Sequence, residues 1–219
     1  MPRAALQPQE VEDFREQLCR VATRRFAEYG HAGVSLRQLA AELGCSPMTP
    51  YRYFRDREAI IAAVRAAAFA RFADAMAAAA ATVTDPVARL GRLGEAYLRH
   101  ARTDPHGYRI MFELAQPRAR DYPALDREEA RAWAVLRDAV AAAVEAGAVA
   151  GDPDIVAHVL WAGLHGLAAL DLAGKLRLKR REVLAGPMMA ALIRGVAVEA
   201  SPPTDQPRRA RAPRRRRTR

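Results

Sequence analysis

The chain has 219 residues, 51% of them hydrophobic and only 6% aromatic, with a net charge of +10. This length and apolar content exclude a wholly disordered chain and suffice for one large or two small domains with a real core. Residues 201–219 hold eight arginines against one aspartate, which accounts for +7 and leaves +3 for the other 200 residues. The basic character therefore belongs mostly to the tail.

Alanine, the best helix former, is abundant, and period-two runs of β-branched residues are missing. An all-α fold of about nine helices follows. Residues 1–9 read as a flexible N-terminus. Val11, Phe14, Leu18, Val21, Ala22 and Phe26 recur at helical spacing over 10–29, and Gly30 suits the position after the helix. Ser35 and Gln38 form a capping box that opens a second helix, closed by Gly44. Ser46 with Pro47 opens a third. Asp56 caps a long helix over 57–81. Asp85-Pro86, Asp104-Pro105 and Asp152-Pro153 each put a capping carboxylate before a proline and so start three more. Another helix runs from Pro123 to Ala146 before Gly147. The last runs from about Arg180 to Glu199, with a kink or a fresh start at Gly186-Pro187. The Pro- and Arg-rich segment 201–219 reads as a disordered basic tail.

Two short helical patterns joined by Gly44-Cys45-Ser46 fit a helix-turn-helix, which divides the chain into a DNA-binding domain over 10–56 and a helical domain over 57–200. Leu36, Leu39, Ala40, Leu43, Cys45 and Phe54 close a small core with the first helix. Ser35, Arg37, Ser46, Pro47, Met48, Thr49, Tyr51, Arg52, Tyr53 and Arg57 are left as candidate contacts to double-stranded DNA. Hydroxyls and helix-start amides suit phosphates. Arg37 and Arg52 suit guanine edges, Met48 and Thr49 a thymine methyl, and Arg57 a phosphate. Taken singly, each arginine reads as part of a solvated face rather than as a DNA contact.

The stretch FAEYGHAGVSLRQLAAELGCSPMTPYRYFRDREAI resembles the N-terminal domain of tetracycline-repressor-type (TetR-family) regulators from about Phe14 to Ile61. The resemblance implies that Arg37 and residues 46–53 face the groove, that Tyr51 and Arg57 hold phosphates, and that Phe54 is core. Two departures stand out. Lysine is common where Arg57 stands, and the charge is kept. Pro50 replaces the usual aliphatic residue and lacks the N–H that would bond the cap carbonyl, so the first turn of the third helix is expected to be distorted or tightened.

By the same resemblance residues 85–199 form a dimerisation and effector domain. Trp161-Ala-Gly-Leu-His-Gly166, with the DPHGYRIMF segment at 104–112, resembles a C-terminal subtype named for a Trp-His-Gly signature. Apolar stripes containing Val156, Leu160, Leu164 and Leu167, and Met189, Leu192, Ile193 and Val196, are candidates for a homodimer interface. Both stripes also fit intrachain core. Tyr97, His100, His106, Tyr108, Met111, Phe112, Trp133, Trp161 and His165 are candidates for a pocket taking an apolar or aromatic effector. Individually each reads as a core residue before a pocket one.

Cys19 and Cys45 read as packed, reduced thiols of a cytoplasmic protein. The N-terminus has no signal-peptide core, and no apolar run near 20 residues suggests a membrane span. The five histidines show no metal-ligand spacing, and no nucleophile or phosphate-loop motif appears. No cofactor, no metal and no enzymatic activity are expected. The expected function is a dimeric repressor released from a palindromic operator when an effector shifts the 57–81 helix. A nonspecific nucleoid-type DNA binder and a helical lipid or small-molecule carrier are the alternatives.

Overall fold

Four aspartates and one serine set most of the helix starts. In the computed structural model, which describes residues 8–30, 33–112, 117–178 and 181–196, Asp56, Asp85, Asp104 and Asp152 each accept from a backbone N–H two or three residues on, at 2.7–2.9 Å for the shortest bond. Ser35 and Gln38 make the reciprocal capping box. Each such cap contributes roughly 1 kcal/mol. The helices they help delimit are α1 (Pro8–Tyr29), α2 (Leu36–Glu42), α3 (Arg57–Ala80), α4 (Pro86–Thr103), α5 (Pro105–Phe112), α6 (Pro123–Glu145), α7 (Pro153–Leu172) and α8 (Ala185–Val196). The described residues contain no strand, as expected for an all-α chain. The tail 201–219 and residues 1–7 lie outside the described residues, as do 197–199 at the end of the last predicted helix. Residues 8 and 9, read as part of a flexible start, already belong to α1.

The expected α-helix after Ser46 is absent, which brings the count to eight. The Ser46 carbonyl accepts instead from the Thr49 N–H at 2.8 Å, and Pro50–Arg52 form a single 3-10 turn, with Arg52 bonding back to Thr49 and Tyr53 to Pro50 at 3.0 Å each. The cause is Pro50. An α-helix would need its missing N–H to reach the Ser46 carbonyl, so the chain settles for i→i+3 bonds. Gly44, at φ +65°, takes the left-handed turn that separates this segment from α2.

Alanine-rich α3 is the axis of the body. It packs most extensively against α6, then against α4, and its first turns meet α1. α7 lies across α4 and α6, and α8 closes over α4 and α7. Two glycines permit that closure: a Cβ on Gly163 would sit 2.6 Å from Leu192 Cδ1, and one on Gly94 would sit 2.7 Å from Met189 Sδ. The last helix makes a fresh start, with a 3-10 turn over Arg181–Leu184 running into α8 at Ala185.

The expectation that no apolar segment nears membrane length fails for α7, which is 20 residues long and apolar enough by length and composition. Its inner residues pack on α4, α6 and α8, as in a core helix. Its outer face is also apolar, with Ile155 65%, Val159 42% and Leu170 49% exposed.

Candidate nucleic-acid interface and ligand cavity

The head is built on Leu18, Ala22 and Phe26 of α1 and Leu39 and Ala40 of α2, none with exposed surface, joined by Phe54. Burying each large side chain of this set contributes roughly 1.5–3 kcal/mol. Pro50 is buried among them, which holds the 3-10 turn down on the head and turns its neighbours outward. Met48 is 66% and Tyr51 50% exposed. Ser35, Arg37, Ser46, Pro47 and Arg52 are also exposed, and Thr49 is half-buried.

Partners separate the free cations from the occupied ones. Arg24 and Arg25 both bind the Glu42 carboxylate, Arg25 at 2.6 Å, and these bonds hold that carboxyl below its usual range. Arg55 pairs with Asp56 at 2.7 Å. Arg57 turns inward, and its Nη2 donates to the Val34 carbonyl at 2.8 Å. Tyr53 stacks on Phe14 with centroids 4.3 Å apart. Ser35 spends its hydroxyl on Gln38. The Arg37 and Arg52 side chains form neither an ion pair nor a hydrogen bond among the described residues. The candidates that face outward and unoccupied are therefore Arg37, Met48, Tyr51 and Arg52, while Tyr53 and Arg57 pack against the head.

In the body, α3, α4, α5, α6 and α7 enclose a cavity of about 410 Å³. Of the nine sequence-predicted pocket residues, Tyr97, Phe112, Trp133 and Trp161 line it. His165 and Tyr108 stand just behind. The Tyr108 hydroxyl lies 2.8 Å from His165 Nδ1 and 3.0 Å from the Tyr97 hydroxyl, and Tyr97 lies 3.3 Å from the same nitrogen. Burial pushes the Tyr97 phenol up to about 12, pushes the Tyr108 phenol up as well and pushes the His165 imidazole down, so all three are neutral at neutral pH. A neutral ring has one donor and one acceptor nitrogen, so the His165 tautomer sets whether Nδ1 donates to the tyrosine hydroxyls or accepts from them.

The other three predicted residues do not line the cavity. Met111 is 2% exposed in the core. His100 packs edge-on to Phe72, and burial lowers its imidazole. His106 is half-buried, with Nδ1 lacking a hydrogen-bond partner.

Sequence reading missed Glu129 and His158, along with Phe69, Phe72 and Met76 of α3. Glu129, Ala132, Trp133 and Leu136 follow the spacing of one helical face, as do Phe69, Phe72 and Met76. That periodicity was available, but nothing local says which face meets a void. Among the described residues no group of three or more His, Cys, Asp or Glu is placed to hold a metal ion.

The candidate interface residues are largely covered within the single chain. Val156, Leu160, Leu164, Leu167 and Met189 are buried, and Leu192, Ile193 and Val196 half-buried. The outward stripe on α7 is their neighbour set, Ile155, Val159, Ala162, Ala169 and Leu170. Because α7 is apolar all round, periodicity could not choose between the two.

One short helix touches both regions. Tyr108 of α5 joins the hydroxyl network behind the cavity, and Phe112 lines the cavity itself. Between them Arg109 reaches the head and donates to the Ala27 carbonyl of α1 at 3.3 Å. α5 packs along α1.

Two family models match the chain. Residues 18–64 match the family described as bacterial regulatory proteins, tetR family. Residues 90–192 match the tetracyclin repressor-like C-terminal domain. Among solved structures, a protein of unknown function from Rhodococcus sp. RHA1 is 25% identical with a TM-score of 0.73, covering 90% of this chain and all of that one. A TetR-family transcriptional regulator from Pectobacterium atrosepticum is 23% identical with a TM-score of 0.64, over 89% of this chain and 99% of that one. The fatty acid degradation regulator FadR from Bacillus halodurans is 16% identical with a TM-score of 0.69, over 87% and 97%. The last two show the fold alone. No curated protein sequence matches the chain.

Proposed function

The chain belongs to the TetR family of DNA-binding transcriptional regulators, which are not enzymes, and from that premise we propose that it is a dimeric, ligand-responsive repressor released from a palindromic operator when a small apolar or aromatic molecule enters the cavity. A cytoplasmic location goes with that role. Arg37 and Arg52 read base edges, Tyr51 and the Ser46–Met48 backbone hold phosphates, and Met48 meets a thymine methyl. The exposed apolar stripe of α7 supports pairing with a second copy, since an unpartnered face of this kind favours a two-fold interface.

The observation that carries the regulatory reading is the position of α5. A ligand against Tyr97 or Phe112 displaces the Tyr108 hydroxyl bond or the Phe112 ring, and α5 carries the displacement through Arg109 to α1. Helix α3, running from the head at Arg57 to the cavity wall at Phe69, Phe72 and Met76, gives a second rigid route. Coupling requires that the ligand prefer one head position over another.

The test is a substitution that stands in for the ligand. Ala132 lines the cavity and is 7% exposed, and Ala132→Trp fills it. Operator affinity is expected to fall about tenfold or more, the range of ordinary allosteric coupling. Arg109→Ala, which leaves the cavity intact, is expected to shrink that response. A filled cavity with unchanged operator affinity in a folded protein removes the coupling.

A further inference from the structure

Resting on the reading of the cavity as the effector site, we propose that its ligand is an organic cation, an aryl or alkyl ammonium whose charge lies between the indole rings and the Glu129 carboxylate. The lining carries six aromatic rings and, among the described residues, one formally charged side chain, Glu129. Among the described residues no lysine or arginine lines it. Trp133 and Trp161 stand edge to face with centroids 6.2 Å apart, and both frame the cavity. Ring faces are the negative pole of the aromatic quadrupole, and indole is the strongest of them.

The one nearby cation does not satisfy Glu129. Arg65 Nη2 stands 3.9 Å from its Oε1, beyond hydrogen-bond distance. The Arg65 guanidinium spends its protons elsewhere, donating to the Pro117 carbonyl at 2.9 Å and the Met111 carbonyl at 3.4 Å. Glu129 accepts no hydrogen bond from a described residue. Its side chain is 42% exposed, so it sits where the cavity opens. His158 adds a second acceptor. Its Nδ1 donates to the Asp154 carbonyl at 2.7 Å, which leaves Nε2 outside that bond, and the ring lies 4.4 Å from Trp133. A carboxylate, an imidazole acceptor and two indole faces favour a positive group. An anionic amphipath would meet the carboxylate with no lining cation in return.

Both tryptophans of the chain line this cavity, so intrinsic fluorescence reports on it alone. The experiment titrates full-length protein with 4-phenylbutyl-trimethylammonium, its neutral carbon isostere and 4-phenylbutanoate, following tryptophan emission. The cation is expected to bind about tenfold more tightly than the neutral compound, and the anion more weakly than either. Glu129→Gln should remove most of that preference while leaving neutral binding unchanged, and its melting curve checks the fold. Equal binding of cation and isostere, or no response to any of the three, overturns the proposal. The regulatory reading is scored separately by operator affinity. A neutral compound that releases operator DNA keeps that reading and sinks the cation. A cation that binds through Glu129 without changing operator affinity does the reverse.

Discussion

In the head, Arg37, Tyr51 and Arg52 stand in solvent without partners. In the body, Tyr97, Tyr108 and His165 close on one another behind a cavity. The same residue classes serve opposite ends. An exposed guanidinium keeps its donors for a phosphate or a base edge, and its water is exchanged for those contacts at binding. A buried hydroxyl network keeps its donors for itself, because an unpaired group there costs about 1–3 kcal/mol. On the proposed reading, the head is ready to bind as it stands, whereas the body responds only when a ligand disturbs a closed set of bonds.

That contrast can be broken. The largest effect is expected from Arg37→Ala with Arg52→Ala, which should cost about 4 kcal/mol of operator binding, at about 1–3 kcal/mol per base contact. Because neither side chain has a partner among the described residues, stability and tryptophan emission should not move. A loss of melting temperature would show that these arginines brace the head instead. Next, Leu39→Ala should cost about 3 kcal/mol of stability, since it opens a void in the small head core. Denaturant curves read by tryptophan emission, which sees only the body, should shift less than curves read by DNA binding. Coincident curves would make head and body one cooperative unit.

Smaller effects are expected in the buried network. Tyr108→Phe removes a hydroxyl that bonds two partners and should cost about 1 kcal/mol, with operator affinity unchanged in the absence of ligand. It should also weaken the Ala132→Trp response. The mildest perturbation is acid. His165 and His100 are held neutral by burial, below the usual value of 6.5. The unfolded chain therefore binds more protons below that pH. Their contribution to stability is full above about 6.5 and is lost as the pH falls through the lower folded values. Urea midpoints should drop as pH falls from 7.5 to 5.5, above the range where the paired carboxylates titrate. His165→Asn should flatten part of that slope, and a slope unaltered by the substitution would assign it to other groups.

The helix starts were legible because each depends on two or three adjacent residues: Ser35 with Gln38, or Asp before Pro. The recognition segment was legible down to its fault, since Pro50 carries its missing N–H wherever it sits. Tyr53 and Arg57 were less so. Their stacking on Phe14 and bonding to the Val34 carbonyl depend on where α1 lies. The cavity was half legible. Aromatic and histidine content pointed to the right helices, yet whether a ring meets void or core is decided by five helices at once. That is why Glu129 and His158 were overlooked while Met111 was included. The two sides of α7 could not be told apart for a simpler reason, since Ile155 and Val156 are equally apolar and only packing says which is inside.

The most direct measurement is selection of bound duplexes from a random DNA pool by the full-length protein. The account predicts one enriched inverted repeat whose half-sites lie about one helical turn, or a multiple of it, apart, with enrichment lost in the Arg37→Ala and Arg52→Ala double variant. A pool that stays random, or enrichment that survives the double variant, would contradict it.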